Sequence, residues 1–285
     1  MEEAIVTQKL TKQYKDVWAV ENLNLTVFSG EIFGFLGPNG AGKTTTIRAL
    51  TGLTKPTSGS LWVSGFDVEK EPEKVKRVLG VVQQHVTFDL DLNLRENMEL
   101  HARLHHIPID ERRQRINELL EFVGLSKQSE RMVEDLSGGM KKAAMIARAL
   151  LHRPKIIFLD EPTVGLDVQL RRRMWDLIRS LRRNGTTIFL TTHYIEEAEA
   201  LCQRVGIVNQ GHLIALGSPS ELRQSVGLVT VEILDGDAST RYEHFPDRQA
   251  AINYVQGLPL DVKTLIRDSS LEDVFVKLTG KKVGD

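Results

Sequence analysis

Gly37-Pro38-Asn39-Gly40-Ala41-Gly42-Lys43-Thr44 is the stretch that decides the fold. Its spacing, G-x-x-x-x-G-K-T, is that of a phosphate-cradling P-loop. Glu31-Ile32-Phe33-Gly34-Phe35-Leu36 before it reads as a short buried strand, and Lys43 to Leu50 after it as a helix. A strand that turns through glycines into a helix aims backbone N–H groups and the positive helix end at one point, where an anion is stabilised. Glycines at 37, 40 and 42 let the backbone approach phosphates with no Cβ in the way. In this pattern Lys43 reaches the β- and γ-phosphates and the Thr44 hydroxyl holds Mg²⁺.

Upstream, Ala4-Ile5-Val6-Thr7 and Leu23-Asn24-Leu25-Thr26-Val27-Phe28 alternate like strands, and Ser29-Gly30 breaks the pattern. Tyr14 and Trp18 are expected in the loop between them. An aromatic just before a phosphate loop can stack on an adenine ring, although for one standing alone the closing of a hairpin is the favoured reading. Downstream, Pro56-Thr57-Ser58-Gly59 marks a turn, Ser60-Leu61-Trp62-Val63 a strand, and Pro72 to Val78 a short helix with proline in its first turn. Leu79-Gly80-Val81-Val82-Gln83-Gln84 reads as a buried strand ending in two glutamines.

From about His85 to Ala149 the chain turns helical and charged, with helical spacing over Leu94 to Leu104 and Asp110 to Val123 and a stop at Gly124. His101, His105 and His106 hint at a metal, but no nearby cysteine or acidic pair completes a ligand set, so a solvated helix end is expected. Ser137-Gly138-Gly139 heads an alanine-rich helix running to His152. It is either a second anion-accepting helix start or a plain serine cap.

Lys155-Ile156-Ile157-Phe158-Leu159-Asp160-Glu161-Pro162 is an apolar strand that ends in two carboxylates. Burying charge is costly, so stability explains this poorly. The chemical reading puts Asp160 on Mg²⁺ and has Glu161 polarise water. Gly165-Leu166-Asp167 precedes a helix over Val168 to Arg183, and Thr186 to Thr191 is a further buried strand ending near His193, which alone reads as a structural histidine. Cys202 reads as an inert buried thiol. Val205 to Ala215 reads as a hairpin, followed by a short helix from Pro219 that stops at Gly227. The remainder reads as a separate small unit: a strand over Val229 to Leu234, a helix over Asp247 to Gln256, a strand over Asp261 to Ile266, a capped helix from Ser269-Ser270 to Leu278, and a solvated Lys281-Lys282 tail.

The 285 residues are enough for one large domain and a small one. A composition of 41% hydrophobic and 26% charged is that of an ordinary soluble globular chain, and a net charge of −1 offers no electrostatic reason to expect nucleic acid. One cysteine excludes an intrachain disulfide, and Met1-Glu2-Glu3 lacks the basic start of a signal peptide. No apolar run approaches the length of a membrane span, so service to a membrane would require docking to another chain.

Taken in order, these motifs resemble the ATP-binding subunit of an ATP-binding-cassette (ABC) transporter, over residues from about 4 to 225. Gly37 to Thr45 matches the Walker A motif, Gln84 the Q-loop glutamine, and Leu136 to Met140 the LSGGQ signature. Ile156 to Glu161 matches Walker B with its catalytic glutamate, Leu166-Asp167 the D-loop, His193 the switch histidine and Tyr14 the adenine-stacking aromatic. Met140 stands where glutamine is commoner and Gln83 where proline is frequent; neither removes a phosphate-binding or catalytic group. Met140, and a tail over Ser270 to Gly280, look like the branch of bacterial drug, lipid and polysaccharide exporters.

The resemblance implies an α/β fold: a RecA-like P-loop NTPase core with an antiparallel β subdomain and a helical signature subdomain at about 85–150, all within 1–226, plus a small α+β appendage at 227–285. It implies ATP and Mg²⁺, with Pro38, Asn39, Ala41 and Thr45 joining the loop glycines and Lys43 at the nucleotide. Thr44, Gln84 and Asp160 would arrange Mg²⁺, Glu161 would act as general base and His193 would contact the γ-phosphate. Two cassettes would sandwich two ATP molecules head to tail, each facing Ser137, Gly138 and Gly139 of the other subunit, and Asp167 of the D-loop would also belong to the nucleotide site. A membrane-spanning permease would dock on the helical segment, holding the chain at the cytoplasmic face of the membrane, with export favoured over import. A soluble cassette ATPase acting on ribosomes or DNA is the competing reading, disfavoured by one cassette, no charged linker and no long heptads.

Overall fold

A computed structural model describes residues 2–234, 240–259 and 262–280. The chain opens on a long hairpin, β1 (Glu3–Tyr14) and β2 (Val17–Phe28), then passes through β3 (Ile32–Leu36) into α1 (Lys43–Leu50). Next come β4 (Ser58–Val63), β5 (Phe66–Asp67), α2 (Pro72–Val78) and β6 (Leu79–Val82). Three helices follow: α3 (Leu94–Leu104), α4 (Ile109–Phe122) and α5 (Gly138–Ala149). The core resumes with β7 (Ile156–Asp160), α6 (Val168–Arg183), β8 (Thr187–Thr192), α7 (Ile195–Leu201), β9 (Arg204–Asn209), β10 (His212–Gly217) and α8 (Pro219–Val226). The last elements are β11 (Val229–Leu234), β12 (Thr240–Phe245), α9 (Arg248–Gln256), β13 (Lys263–Asp268) and α10 (Leu271–Thr279).

The strands form an antiparallel sheet β2-β1-β4-β5, a central sheet β10-β9-β3-β8-β7-β6 and a small sheet β12-β11-β13. In the central sheet β6, β7, β8, β3 and β9 run parallel, and β10 returns antiparallel at one edge. Such a sheet is covered on both faces, so its strands read as near-continuous apolar runs. Alternation sorts the two faces. Phe33, Phe35, Phe158 and Phe189 join the core shared with the antiparallel sheet and α1. Ile32, Leu36, Ile157, Leu159, Ile188 and Leu190 join the core shared with α5, α6 and α7. The Phe189 ring lies 5.6 Å from those of Phe33, Phe35 and Phe158. Each such side chain contributes about 1.5–3 kcal/mol by leaving water. Because β3, β8, β7 and β6 are parallel neighbours, their carboxyl ends open on one edge, where ligands bind in α/β sheets.

Several elements differ from the sequence expectation. β1 and β2 are longer than the alternation predicts, and only Lys15 and Asp16 are left between them. Tyr14 therefore ends β1 and Trp18 lies in β2 rather than in a loop. The pairing shifts register between Thr7 and Leu10 and again after Leu10, with Lys9 at φ 51° and Asn22 at φ 50°. Such bulges break the period-two pattern that reveals a strand. β6 stops at Val82, so Gln83 and Gln84 have left the sheet. β12, Thr-Arg-Tyr-Glu-His-Phe, escapes detection because it is a polar edge strand. The last strand begins at Lys263; Asp261, Lys281 and Lys282 lie outside the described residues.

The small sheet has its own core of Val229, Val231, Ile233 and Ala251. α10 departs from the expectation of a separate unit: its Leu271, Val274 and Phe275 are buried in the main cassette core. The Leu271 amide also donates to Glu199 Oε1 on α7 at 2.9 Å.

Candidate functional site

The turn from β3 into α1 is shaped by two glycines. Gly42 sits at φ +101°, and a Cβ there would lie 2.2 Å from the Ala19 carbonyl oxygen. At Gly37 a Cβ would lie 2.3 Å from the Val208 carbonyl oxygen. No larger residue fits either position without moving backbone. The loop delivers Lys43 to a buried place, 5% exposed. Its ammonium donates to the Gly37 and Pro38 carbonyls at 2.8 and 3.0 Å and pairs with Glu161 Oε1 at 3.3 Å. Burial pulls the Lys43 pKa below its ordinary value, and Glu161 and Asp160 oppose that shift.

The two carboxylates at the end of β7 are held differently. Asp160 Oδ1 accepts from the Thr191 hydroxyl at 2.6 Å and from the Thr44 hydroxyl at 3.3 Å. Glu161 adopts φ 49°, left-handed backbone that costs a non-glycine residue about 1–3 kcal/mol. Thr191 steadies it, since the Glu161 amide donates to the Thr191 carbonyl at 3.2 Å and its hydroxyl at 3.1 Å. On the side chain, Gln84 Nε2 donates to Oε2 at 3.0 Å, and His193 Nδ1 lies 3.2 Å from Oε1. The structure thus brings Lys43, Thr44, Gln84, Asp160, Glu161 and His193 together. Lys43, Thr44, Gln84, Glu161 and His193 line a cleft of about 570 Å³ with Asn39, Gly40, Gly42 and Thr45, and Asp160 lies behind Thr44, whose hydroxyl donates to it. Hard oxygen donors, the Thr44 hydroxyl and the Asp160 carboxylate, fit Mg²⁺, with the Gln84 amide beside them.

Three groups of predicted residues lie elsewhere. Ser137, Gly138 and Gly139 are not among the residues lining this cleft. Ser137 caps α5 by accepting from the Met140 amide at 3.3 Å. Gly139 packs so tightly under α6 that a Cβ would lie 2.9 Å from Leu170 Cδ1. Asp167 caps α6, accepting from the Leu170 amide at 2.9 Å. Tyr14 stands 42% exposed at the hairpin end, with Lys12 Nζ 4.8 Å from its ring centroid. The histidines lie at an exposed helix end as expected, His105 and His106 being exposed and His101 half-buried, and the His105 ring stacks in parallel on His152 at 3.9 Å. Partial burial lowers His101 and His105 to about 4, and among the described residues no three His, Cys, Asp or Glu side chains gather into a group that could hold a metal.

Sequence reasoning missed several site residues. Thr191 is the last residue but one of β8 and looked like part of an apolar run. Lys142 is 7% exposed, and its ammonium donates to the Gln84 carbonyl. Its signal was a lysine on the buried face that Met145, Ile146 and Ala149 continue along α5. Glu197 is fully buried and accepts from the Thr163 hydroxyl at 2.8 Å and Trp175 Nε1 at 3.1 Å. It thereby ties α7 to the segment after Glu161 and to α6.

A family model described as ABC transporter matches residues 20–164. Among similar proteins, the Nod factor export ATP-binding protein I of Burkholderia thailandensis is 40% identical over 296 residues, covering 98% of this chain and 97% of that protein. Its counterpart in Cupriavidus metallidurans is 38% identical over 299 residues, with 98% of each chain covered. Among solved structures, CbiO1 of Clostridium perfringens, part of the ABC transporter complex CbiONQ, has a TM-score of 0.72 at 28% identity, covering 78% of this chain and 91% of that one. A dimeric ATP-binding cassette in a post-hydrolysis state, bound to ADP and phosphate, has a TM-score of 0.69 at 29% identity, covering 75% and 98%.

Proposed function

We infer the working cycle from one premise: the chain belongs to the ABC transporter family, as an ATP-binding subunit that hydrolyses ATP. We propose that it powers export. The support is its likeness, nearly end to end, to proteins named for Nod factor export. The observation that carries the catalytic reading is the convergence of Lys43, Gln84 and His193 on one carboxylate, Glu161, at 3.3, 3.0 and 3.2 Å.

In this reading Lys43 and the loop amides, from Gly37, Asn39 and Gly40 through Thr45, hold the phosphates. Lys43 exchanges Glu161 for phosphate, which leaves Glu161 free to accept a proton from the attacking water. His193 meets the γ-phosphate, and Tyr14 stacks on adenine. Thr44, Asp160 and Gln84 hold Mg²⁺, which neutralises phosphate charge when bound.

The start of α5 lies outside its own protomer's cleft, which suits a signature that acts across a dimer. Ser137, Gly138, Gly139 and Asp167 then serve the ATP held by a second cassette. Cassette dimers among the similar structures support this arrangement. Leu100, Leu104 and Ile109, 41%, 64% and 72% exposed, suit the docking of a membrane-spanning partner on residues of about 85–130. Among the described residues no helix is long and apolar enough to cross a membrane, so the chain would sit peripherally, at the cytoplasmic face. Residues 227–285 would form a C-terminal appendage to the ATPase domain at 1–226, with α10 returning to pack in that domain's core.

The test uses Glu161→Gln. It should bind ATP and lose turnover by about 10²–10⁴-fold; near-normal turnover would refute the assignment. The same variant, tagged and held in ATP, should recover a multi-span membrane protein from detergent-solubilised membranes. Recovery of ribosomes or nucleic acid instead would favour a soluble ATPase.

A further inference from the structure

The segment after β6 is fastened to α5 at two points, each by a buried cation. Lys142 donates its ammonium to the carbonyl of Gln84. Six residues on, the Arg148 guanidinium donates to the Thr87 carbonyl at 2.6 Å and to its hydroxyl at 2.5 Å, and lies 4.5 Å from the Phe88 ring centroid. Lys142 and Arg148 are 7% and 8% exposed in a helix whose other buried residues are small or apolar. A buried ammonium left without partners is expensive, so the Lys142 bond resists breaking. Residues 84–88 and α5 are thus built to move together.

The two ends of this linkage do different work. Gln84 touches Glu161, the general base of its own protomer's cleft. α5 begins at Ser137, about one and a half helical turns from Lys142, and a helix transmits displacement along its axis as a rigid rod.

We propose that Lys142 is a positioning residue that couples the two ATP sites of a cassette dimer. It passes a shift of Gln84 at one site to the Ser137 end of α5, which faces the nucleotide of the other. The inference rests on the two-site reading given above. It goes further by naming the side chain through which one site senses the other. Arg148 is the anchor that keeps residues 84–88 folded onto α5 when the Lys142 bond is absent, so loss of Lys142 uncouples the sites without unravelling the segment.

The test uses the full-length chain. Glu161→Gln is first examined by light scattering, and its mass should double in ATP; a monomer in saturating ATP would remove the two-site reading, and the coupling with it. ATP hydrolysis is then measured for the parent chain, Lys142→Met and Lys142→Arg. The parent should show a Hill coefficient between one and two, the ceiling set by two sites. Lys142→Met should fall to a coefficient near one, with kcat lower by roughly three- to thirtyfold. Its affinity for a fluorescent ADP should be unchanged. Lys142→Arg, which keeps a buried cationic donor, should recover cooperativity. If Lys142→Met does not fold, Lys142→Gln, which removes the charge and still fills the site, carries the same measurement. The coupling is overturned if the parent is non-cooperative, if the neutral variant keeps the parent's Hill coefficient, or if its ADP affinity falls together with its cooperativity.

Discussion

Gln84 Nε2 donates to Glu161 Oε2 at 3.0 Å across 77 residues of sequence. Gln84 follows the edge strand β6 and Glu161 follows β7, so the contact exists because those two strands are parallel neighbours. It joins the start of the helical segment to the proposed general base. In the proposed cycle, a change at the phosphates that moves Glu161 would be felt through this bond at the foot of the helices.

Thr191 is the residue on which both carboxylates depend. Thr191→Val removes the 2.6 Å donor to Asp160 and one of two acceptors for the Glu161 amide. Losing these two buried hydrogen bonds, one of them to a carboxylate, should cost about 1–3 kcal/mol of stability, although each group keeps a second partner. Turnover should fall at least tenfold, on the order of a lost positioning interaction. Urea melts and steady-state hydrolysis would read both, and Thr191→Ser should behave like the parent. An unchanged kcat in the valine variant would contradict this role.

Gly42→Ala should leave the chain folded but disable the loop. The position is left-handed, and the new Cβ would strike the Ala19 carbonyl. Relief requires moving the turn that aims the α1 amides. Nucleotide affinity should drop more than about tenfold, equivalent to 1.4 kcal/mol or more. Titration with a fluorescent nucleotide checks it.

The stacked histidines make stability depend on pH. Burial holds His101 and His105 at about 4 in the folded chain, against an ordinary value of 6.5, and the charges of Arg148, His106 and His152 act in the same direction. The unfolded chain therefore takes up protons before the folded one does. Stability from their neutral forms is fully present above 6.5 and drains away as pH falls from 6.5 toward 4. The melting temperature should decline across that window, and His105→Gln should make the decline shallower. A parallel decline in parent and variant would dissociate His105 from the effect.

Phe275 is 1% exposed and belongs to the main core although it lies near the chain's end. Phe275→Ala should cost about 3–5 kcal/mol. The loss should appear in the ATP-stabilised melting of the cassette, because α10 packs with α8 and α7. A cassette transition left unmoved would mean that α10 contributes only to the small sheet.

The chain's local chemistry was legible before its shape. The glycine spacing at 37–42, the apolar runs of β3, β7 and β8, and the paired acids at 160 and 161 each declare themselves within a few residues, because phosphate binding and two-sided burial constrain neighbours directly. Their order along the chain sufficed to indicate the cassette fold. What sequence reading missed depends on contacts between segments far apart. Strand order β3-β8-β7-β6 decides that Lys43, Gln84, Glu161 and His193 share one cleft. Only that packing turns Thr191 from a strand residue into the support of two carboxylates, and Lys142 from a charge on an alanine-rich helix into a tether for Gln84. The bulged β1, the polar edge strand β12 and the return of α10 to the main core were hidden for the same reason. Their pairing is set by register and by which apolar face remains to be covered, and a chain acquires both only when its distant segments meet.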